Sequence, residues 1–205
     1  MRLKEDFQPI WDKAAAYGIS QIKEEVCHLY ELIQLNMCGK GMHTNALEIG
    51  AFQGGTGSFL NSIFDDVWSL DLNPYAGTPE LPQLCKTIQG NNHDSAVVKM
   101  VEALGVEFDV IFIDGDHSYE GVKKDFENYS PFCRKGGMVC FHDIVKSDWH
   151  ASHNCFVDKF WNEIKNEYPH KEINHTGELD SHHPVIGWVN QIHPATWGGI
   201  GVLYL

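Results

Sequence analysis

The chain has 205 residues, 43% hydrophobic and 12% aromatic, which fits one globular domain (1–205) with a substantial core. Twenty-eight acids against fifteen bases leave a formal charge of −13, a surface that repels phosphate backbones and anionic lipid, so neither nucleic acid nor membrane is an expected partner. No stretch approaches the roughly 18–20 apolar residues of a membrane span; the start, MRLKEDFQPIWDKAAAYG, lacks the apolar run of a signal peptide, and six scattered cysteines without C-x-x-C pairs predict free thiols and a cytoplasmic location.

Residues 5–17 and 20–36 read as two helices; in the second, Ile22, Val26, Leu29, Leu32 and Ile33 recur at helical spacing. They form an N-terminal helical cap (1–40) ahead of the first strand. From there the pattern alternates: strand 45–50, helix 56–64, strand 67–71, a Pro- and Gly-rich loop, and strand 86–89. Helix 94–104, strand 108–114, helix 119–129 and strand 137–142 follow, with a further helix at 155–167. Unbroken apolar strands such as Asp109–Ile113 suit parallel strands covered on both faces. The expectation is an α/β, doubly wound, Rossmann-like, mostly parallel seven-stranded sheet. Two late runs, 184–189 and 199–205, read as a closing antiparallel hairpin within an acceptor-side region, 146–205.

The most telling stretch is ALEIGAFQGGTGSFL, residues 46–60. An apolar run carrying Glu48 breaks into a turn at Gly50, Gly54, Gly55 and Gly57, then resumes as the apolar face of a helix. Strand, glycine turn and helix make the layout of a nucleotide-type site at the carboxyl edge of a parallel sheet. Neither the G-x-G-x-x-G spacing nor the Gly-Lys-Ser/Thr of a phosphate loop is present, and Glu48 would repel a pyrophosphate but suit a cationic ligand. Asp71, at the end of the second strand, is placed to accept from a ribose diol. The alternative is a tight turn with no ligand.

The segments ALEIGAFQGGTGSF, VWSLDLNP, TIQGNNHDS, FDVIFIDGDHSYEGVKKDFENYSPFCRKGGMVCFHDI and GGIGVLYL resemble the class I S-adenosylmethionine-dependent methyltransferases. Within them the chain is most similar to the small O-methyltransferase branch related to catechol, macrocin and cephamycin methyltransferases. The resemblance covers roughly three-fifths of the chain, centred on a cofactor-binding core at 45–145. It implies that Glu48, Gly50, Gly54 and Gly55 face the methionine moiety, with Ala51, Phe52, Thr56 and Leu72 completing the cofactor set. It also implies that Asp71 holds the ribose, that Asn91, Asn92 and His93 line the adenine, and that Asp114 sits beneath the sulfonium. For Asn91 and Asn92 a simple polar turn is the alternative.

Asp114 and Asp143 end adjacent strands, so their carboxylates can converge on Mg²⁺. The branch's patterns supply a third oxygen ligand after or before the second Asp; here Ile144 and His142 stand in those places. His142 as third ligand shifts the preference toward Mn²⁺, Fe²⁺ or Zn²⁺, and Asp116 is a substitute source of oxygen. His117 falls three positions after Asp114, where the catechol-type enzymes place a lysine that helps deprotonate the acceptor. Histidine titrates near neutrality and can serve there as general base, the alternative being a helix-start residue bonded to local backbone. His150, His153, His182 and His183 read as polar loop residues rather than a compact zinc site, with Trp149 and Trp197 flanking the acceptor opening.

The expected activity is therefore methyl transfer from S-adenosylmethionine to a hydroxyl of a small-molecule acceptor, metal-assisted, with Asp114 and His117 catalytic. The competing readings are a metal-independent N-methyltransferase and a non-catalytic S-adenosylmethionine-binding protein. More remote is a short-chain NAD(P) oxidoreductase built on Tyr119-x-x-x-Lys123, which lacks the upstream serine because Val106 and Glu107 occupy that region. The N-terminal helices could pair two subunits as a homodimer or lid one.

Overall fold

Side chains at alternate positions of the central strands divide cleanly between two apolar layers, and this division builds the molecule. A computed structural model of the chain describes residues 3–37, 44–74, 85–174 and 198–205. Strands β1 (Asn45–Ile49), β2 (Asp66–Asp71), β3 (Lys86–Gln89), β4 (Phe108–Ile113), β5 (Cys133–His142), β6 (His170–Ile173) and β7 (Ile200–Tyr204) form one sheet in the order β3-β2-β1-β4-β5-β7-β6. The first five are mutually parallel; β7 runs antiparallel to both β5 and β6.

Ala46, Val110, Phe112, Met138, Cys140 and Val202 point to one face, where α1 (Leu3–Ala16), α2 (Lys23–Met37) and α3 (Gly55–Asn61) cover them through Trp11, Leu29, Ile33 and Phe59. Leu47, Ile49, Ile111, Ile113, Val139 and Phe141 point to the other, beneath α4 (Ser95–Glu102), α5 (Tyr119–Tyr129) and α7 (Val157–Ile164). The period of two in a strand buried on both sides produces this split. Truncating one such residue, Phe112 to Ala, should cost about 3–5 kcal/mol, a large part of a domain's roughly 5–15 kcal/mol. The N-terminal helices are thus a covering layer of the sheet rather than a lid.

Helix α5 coincides with its expected span because Ser118 caps it, accepting from the Gly121 amide at 3.0 Å. The closing strand pair differs from expectation. The partner of β7 is β6, a polar edge strand, while the run 184–189 lies outside the described residues. A short helix, α6 (Asp148–Ser152), capped by Ser147, also lies in what reads as a polar loop. Among the described residues no helix is long and apolar enough to cross a membrane, and the described cysteines are free.

Candidate active site

Strand order reverses at β1, flanked by β2 on one side and β4 on the other, and such a switch point opens a crevice at the carboxyl ends of the strands. A cleft of about 720 Å³ lies there, within the range of small-molecule sites. Its walls include Gly50, Phe52, Asp71, Leu72, Asn91, Asn92, His93, Asp114, His117, His142 and Asp143. These eleven come from the ends of five strands and their loops, so most of the expected site residues do share one cavity.

Gly50 has φ +91, and a Cβ there would lie 2.1 Å from the Asp114 carbonyl oxygen. Glycine lets the tips of β1 and β4 meet. Asp71 Oδ2 accepts from the amides of Ala51 (2.8 Å) and Phe52 (3.1 Å), and Oδ1 from that of Asn73 (2.7 Å). This carboxylate therefore fixes the glycine turn as well as facing the cleft. Asn91 Oδ1 accepts from the His93 amide at 2.8 Å, while the Asn92 side chain donates to Asp125 and its carbonyl accepts from the Tyr129 hydroxyl at 2.8 Å. His93 Nε2 lies 3.1 Å from Asp125 Oδ1. Burial pushes the Asp125 carboxyl up to about 6.

The β4–β5 end has different chemistry. Asp114 Oδ1 lies 3.1 Å from both His142 Nδ1 and His117 Nε2. Asp143 Oδ2 lies 3.2 Å from His117 Nδ1, and its Oδ1 lies 3.2 Å from His150 Nε2 and 3.4 Å from His142 Nδ1. Asp143 reaches all three rings because it leaves β5 with φ +63, in the left-handed region. Burial alone would raise Asp114 and Asp143, yet the imidazoles hold both below the usual carboxylate range, Asp143 well below. Burial would likewise lower the histidines, but the two carboxylates raise His117 well above its ordinary value and His142 to about 9.

Several expected residues stand behind the cleft rather than on its wall. Glu48 is fully buried, takes a 2.5 Å bond from the Ser69 hydroxyl, and is pushed up to about 8 by burial. A Cβ on Gly57 would come within 2.8 Å of Glu48 Oε2, so this carboxyl lies beneath α3. Gly55 is needed for packing, since a Cβ would meet the Ile19 backbone nitrogen at 2.1 Å. Gly54, with φ +96, starts α3, and Ala51 is buried under the turn. The Thr56 hydroxyl donates to Gln21 Oε1 at 2.8 Å, and Gln21 Nε2 donates to Asp114 Oδ2 at 2.7 Å. Asp116, considered as a substitute ligand, does line the cleft, and its Oδ1 accepts from the Ser118 amide at 2.9 Å ahead of α5. Tyr119 and Lys123 reach Glu163 on α7 at 2.5 and 3.4 Å and do not line the cleft.

Sequence reasoning missed Gln21, Ser20 and Cys155, and placed His150 in a polar loop rimming the acceptor pocket. Ser20 and Cys155 line the cleft, and His150 is 2% exposed, its Nδ1 2.8 Å from the Val145 carbonyl. The Ser147 cap, accepting from the His150 amide at 3.0 Å, was the available signal for a helix that carries His150 inward. Trp149 does sit at the opening, stacked on His153 with centroids 4.3 Å apart; Trp197, His182 and His183 lie outside the described residues.

The donor set suits a divalent cation. One ligand atom each from Asp114, His142 and Asp143 lie within 4.8 Å of one another. Asp143 Oδ1 and His150 Nε2 are buried 3.2 Å apart and, among the described residues, neither makes a hydrogen bond of good geometry. Two carboxylates and an imidazole favour Mn²⁺, Fe²⁺ or Zn²⁺ over an all-oxygen Mg²⁺ cage.

The family model described as a methyltransferase domain matches residues 47–144. An uncharacterized protein, R132, of Acanthamoeba polyphaga mimivirus is 31% identical over 167 residues, 70% of this chain and 75% of that one. Among solved structures, the O-methyltransferase TomG of Streptomyces achromogenes, involved in tomaymycin synthesis and bound to S-adenosylmethionine, superposes with a TM-score of 0.62 at 16% identity over 95% of this chain and 89% of that one. The mycinamycin-pathway methyltransferase MycE, in complex with Mg and S-adenosylhomocysteine, gives 0.52 at 18% identity over 86% of this chain, which spans only 48% of MycE. Strand order, the glycine turn and these likenesses agree: residues 47–144 are a methyltransferase domain, and the chain has the fold of the class I S-adenosylmethionine-dependent O-methyltransferases.

Proposed function

We propose that the chain methylates a hydroxyl of a small-molecule acceptor, with a divalent cation held by Asp114, His142 and Asp143. The observation that carries this reading is the convergence of those three ligand atoms within 4.8 Å, with His117 between the two carboxylates. When bound, S-adenosylmethionine supplies a methyl on a sulfonium that leaves as a neutral thioether, and the cation supplies a Lewis acid that lowers the acceptor's pKa. Both the MycE and TomG complexes lend support, the first through its Mg and the second through its ligand.

In this reading Asp71 accepts from the ribose hydroxyls through lone pairs that its three backbone donors leave free. Asn91, Asn92 and His93 border the purine, while Gly50 and Asp114 border the methionine and sulfonium end. Glu48 acts from behind the wall, holding the glycine turn rather than touching the ligand. In the neutral ring His117 Nδ1 donates to Asp143 Oδ2, 3.2 Å away, which fixes the tautomer; Nε2 takes the acceptor proton, and the imidazolium so formed is held by Asp114 Oδ1, 3.1 Å from Nε2. Trp149 and His153 offer a stacked ledge at the rim for an aromatic or sugar-like acceptor. Holding acceptor oxygen, methyl carbon and sulfur in line can supply up to about 7–11 kcal/mol of the barrier.

The test measures S-adenosylhomocysteine formed from S-adenosylmethionine with a panel of phenols, sugars and primary amines. The expected result is turnover of hydroxyl acceptors that EDTA stops and Mn²⁺ or Mg²⁺ restores. Amine-only turnover indifferent to EDTA would overturn the proposal.

A further inference from the structure

We infer that His117, Asp143 and Cys155 form a second metal site, selective for a thiophilic ion such as Zn²⁺, which shares Asp143 with the first and blocks the base when filled. One ligand atom from each of the three lies within 4.8 Å of the others. Asp143 Oδ2 is 3.2 Å from His117 Nδ1 and 3.9 Å from Cys155 Sγ. Zinc–ligand lengths of about 2.0–2.3 Å in a tetrahedron separate adjacent donors by about 3.3–3.6 Å, so small side-chain rotations close the site. Three protein ligands of mixed N, O and S type, with a fourth position toward the cleft, make the open form of a zinc site.

The scaffold is built for this meeting. The Phe156 amide donates to the His117 carbonyl at 2.8 Å and the Cys155 amide to that of His150 at 2.8 Å, which pins the thiol beside the imidazole. With Nδ1 on the ion, His117 Nε2–H is left to donate to Asp114 Oδ1, 3.1 Å away, the usual outer partner of a metal-bound histidine. Asp143 divides its oxygens, Oδ1 toward His142 and His150 and Oδ2 toward His117 and Cys155. One carboxylate can therefore serve either ion. A hard ion has no use for the thiol, whereas Zn²⁺ gains a thiolate by choosing this side. Sequence spacing hides the site, because His117 and Cys155 stand on separate loops.

Filling the site replaces the thiol proton and any imidazole proton by the ion and occupies the nitrogen that orients the base. The loss of turnover rests on the role proposed for His117; the site itself does not. The test uses Co²⁺ as a spectroscopic stand-in for Zn²⁺, added to the reduced protein without acceptor. A near-ultraviolet thiolate-to-cobalt band is expected in the wild type and in Asp114→Asn, which keeps all three ligands, and is expected to vanish in Cys155→Ser. In turnover supported by Mn²⁺, one equivalent of Zn²⁺ should inhibit the wild type, and Cys155→Ser should need at least about tenfold more for equal inhibition. No band in the wild type, or a band that survives Cys155→Ser, overturns the site. A band with the expected Cys155 dependence but no Mn²⁺-supported turnover would sink the proposed function and leave the site standing, while turnover without the band would do the reverse.

Discussion

At the β1–β2 end of the cleft, Asp71 already accepts from three backbone amides, whereas at the β4–β5 end Asp114 and Asp143 face three imidazoles across 3.1–3.4 Å. The first arrangement is close to electrically complete and rigid; it can present shape and spare lone pairs to a neutral sugar and purine. The second is a dense set of mutually dependent charges whose balance changes with every proton or cation that enters. A buried carboxylate without such partners would carry a large desolvation cost, so the histidines are needed even before a ligand arrives. The contrast teaches that affinity for the methyl donor and the methyl-transfer step should be separable by mutation, because the groups proposed for each share few partners.

The sharpest attempt to break that separation is His117→Ala. Turnover should fall by roughly 10²–10⁴, the range of a positioned acid–base group, while the dissociation constant for S-adenosylhomocysteine stays within experimental error. Loss of both together would make His117 a structural residue. Next, Asp143→Asn should weaken Mn²⁺ binding, followed by calorimetry, by more than the roughly 10–100-fold typical of losing an outer partner of a metal ligand. Unchanged Mn²⁺ affinity would remove Asp143 from the ligand set.

Gln21→Ala tests a contact by which the N-terminal layer enters the charged end, its 2.7 Å bond to Asp114 Oδ2. A hydrogen bond to a charged group contributes about 1.5–3 kcal/mol, so kcat should drop at least about tenfold with KM for S-adenosylmethionine unmoved. A change in KM alone would place Gln21 on the donor side instead. The pH profile refines the picture further. His117 is raised above 6.5 by Asp114 and Asp143, so the acid limb of kcat should lie above 6.5 at low metal. Mn²⁺ adds positive charge to the same carboxylates and should move the limb to lower pH; a limb indifferent to metal would uncouple His117 from the cluster.

Glu48 bears on stability alone. Its carboxyl titrates near 8 in the fold, against 4.5 ordinarily, because burial disfavours the charge. Between these values the folded chain holds a proton that the unfolded chain has lost, so this group makes stability fall as pH rises through that window. Glu48→Gln removes the ionisation, and its melting temperature relative to wild type should climb by several degrees, on the order of a few kcal/mol, from pH 5 to pH 8. Parallel curves would mean that Glu48 is ionised in the fold.

Much of this was legible beforehand because the parallel core writes itself in apolar runs. Strand β3 and helix α5 match their expected spans, and the acids ending β2, β4 and β5 do face one cleft. Less visible was anything set by packing between distant segments. Gln21 meets Asp114 across 93 positions, through a layer that sequence presents as a cap. His150 looks like a loop histidine until α6 carries it inward, and β6, mostly exposed, has no apolar alternation to announce it. The glycines were recognised, yet Gly55 is small to admit the Ile19 backbone rather than a ligand.

The most direct test of this division of labour is a calorimetric titration of S-adenosylhomocysteine into the wild type, Asp71→Ala and Asp143→Asn, each confirmed folded. We expect one equivalent to bind the wild type and Asp143→Asn with similar affinity, and at least about tenfold weaker binding to Asp71→Ala. No heat with the wild type, or a loss confined to Asp143→Asn, would contradict the account.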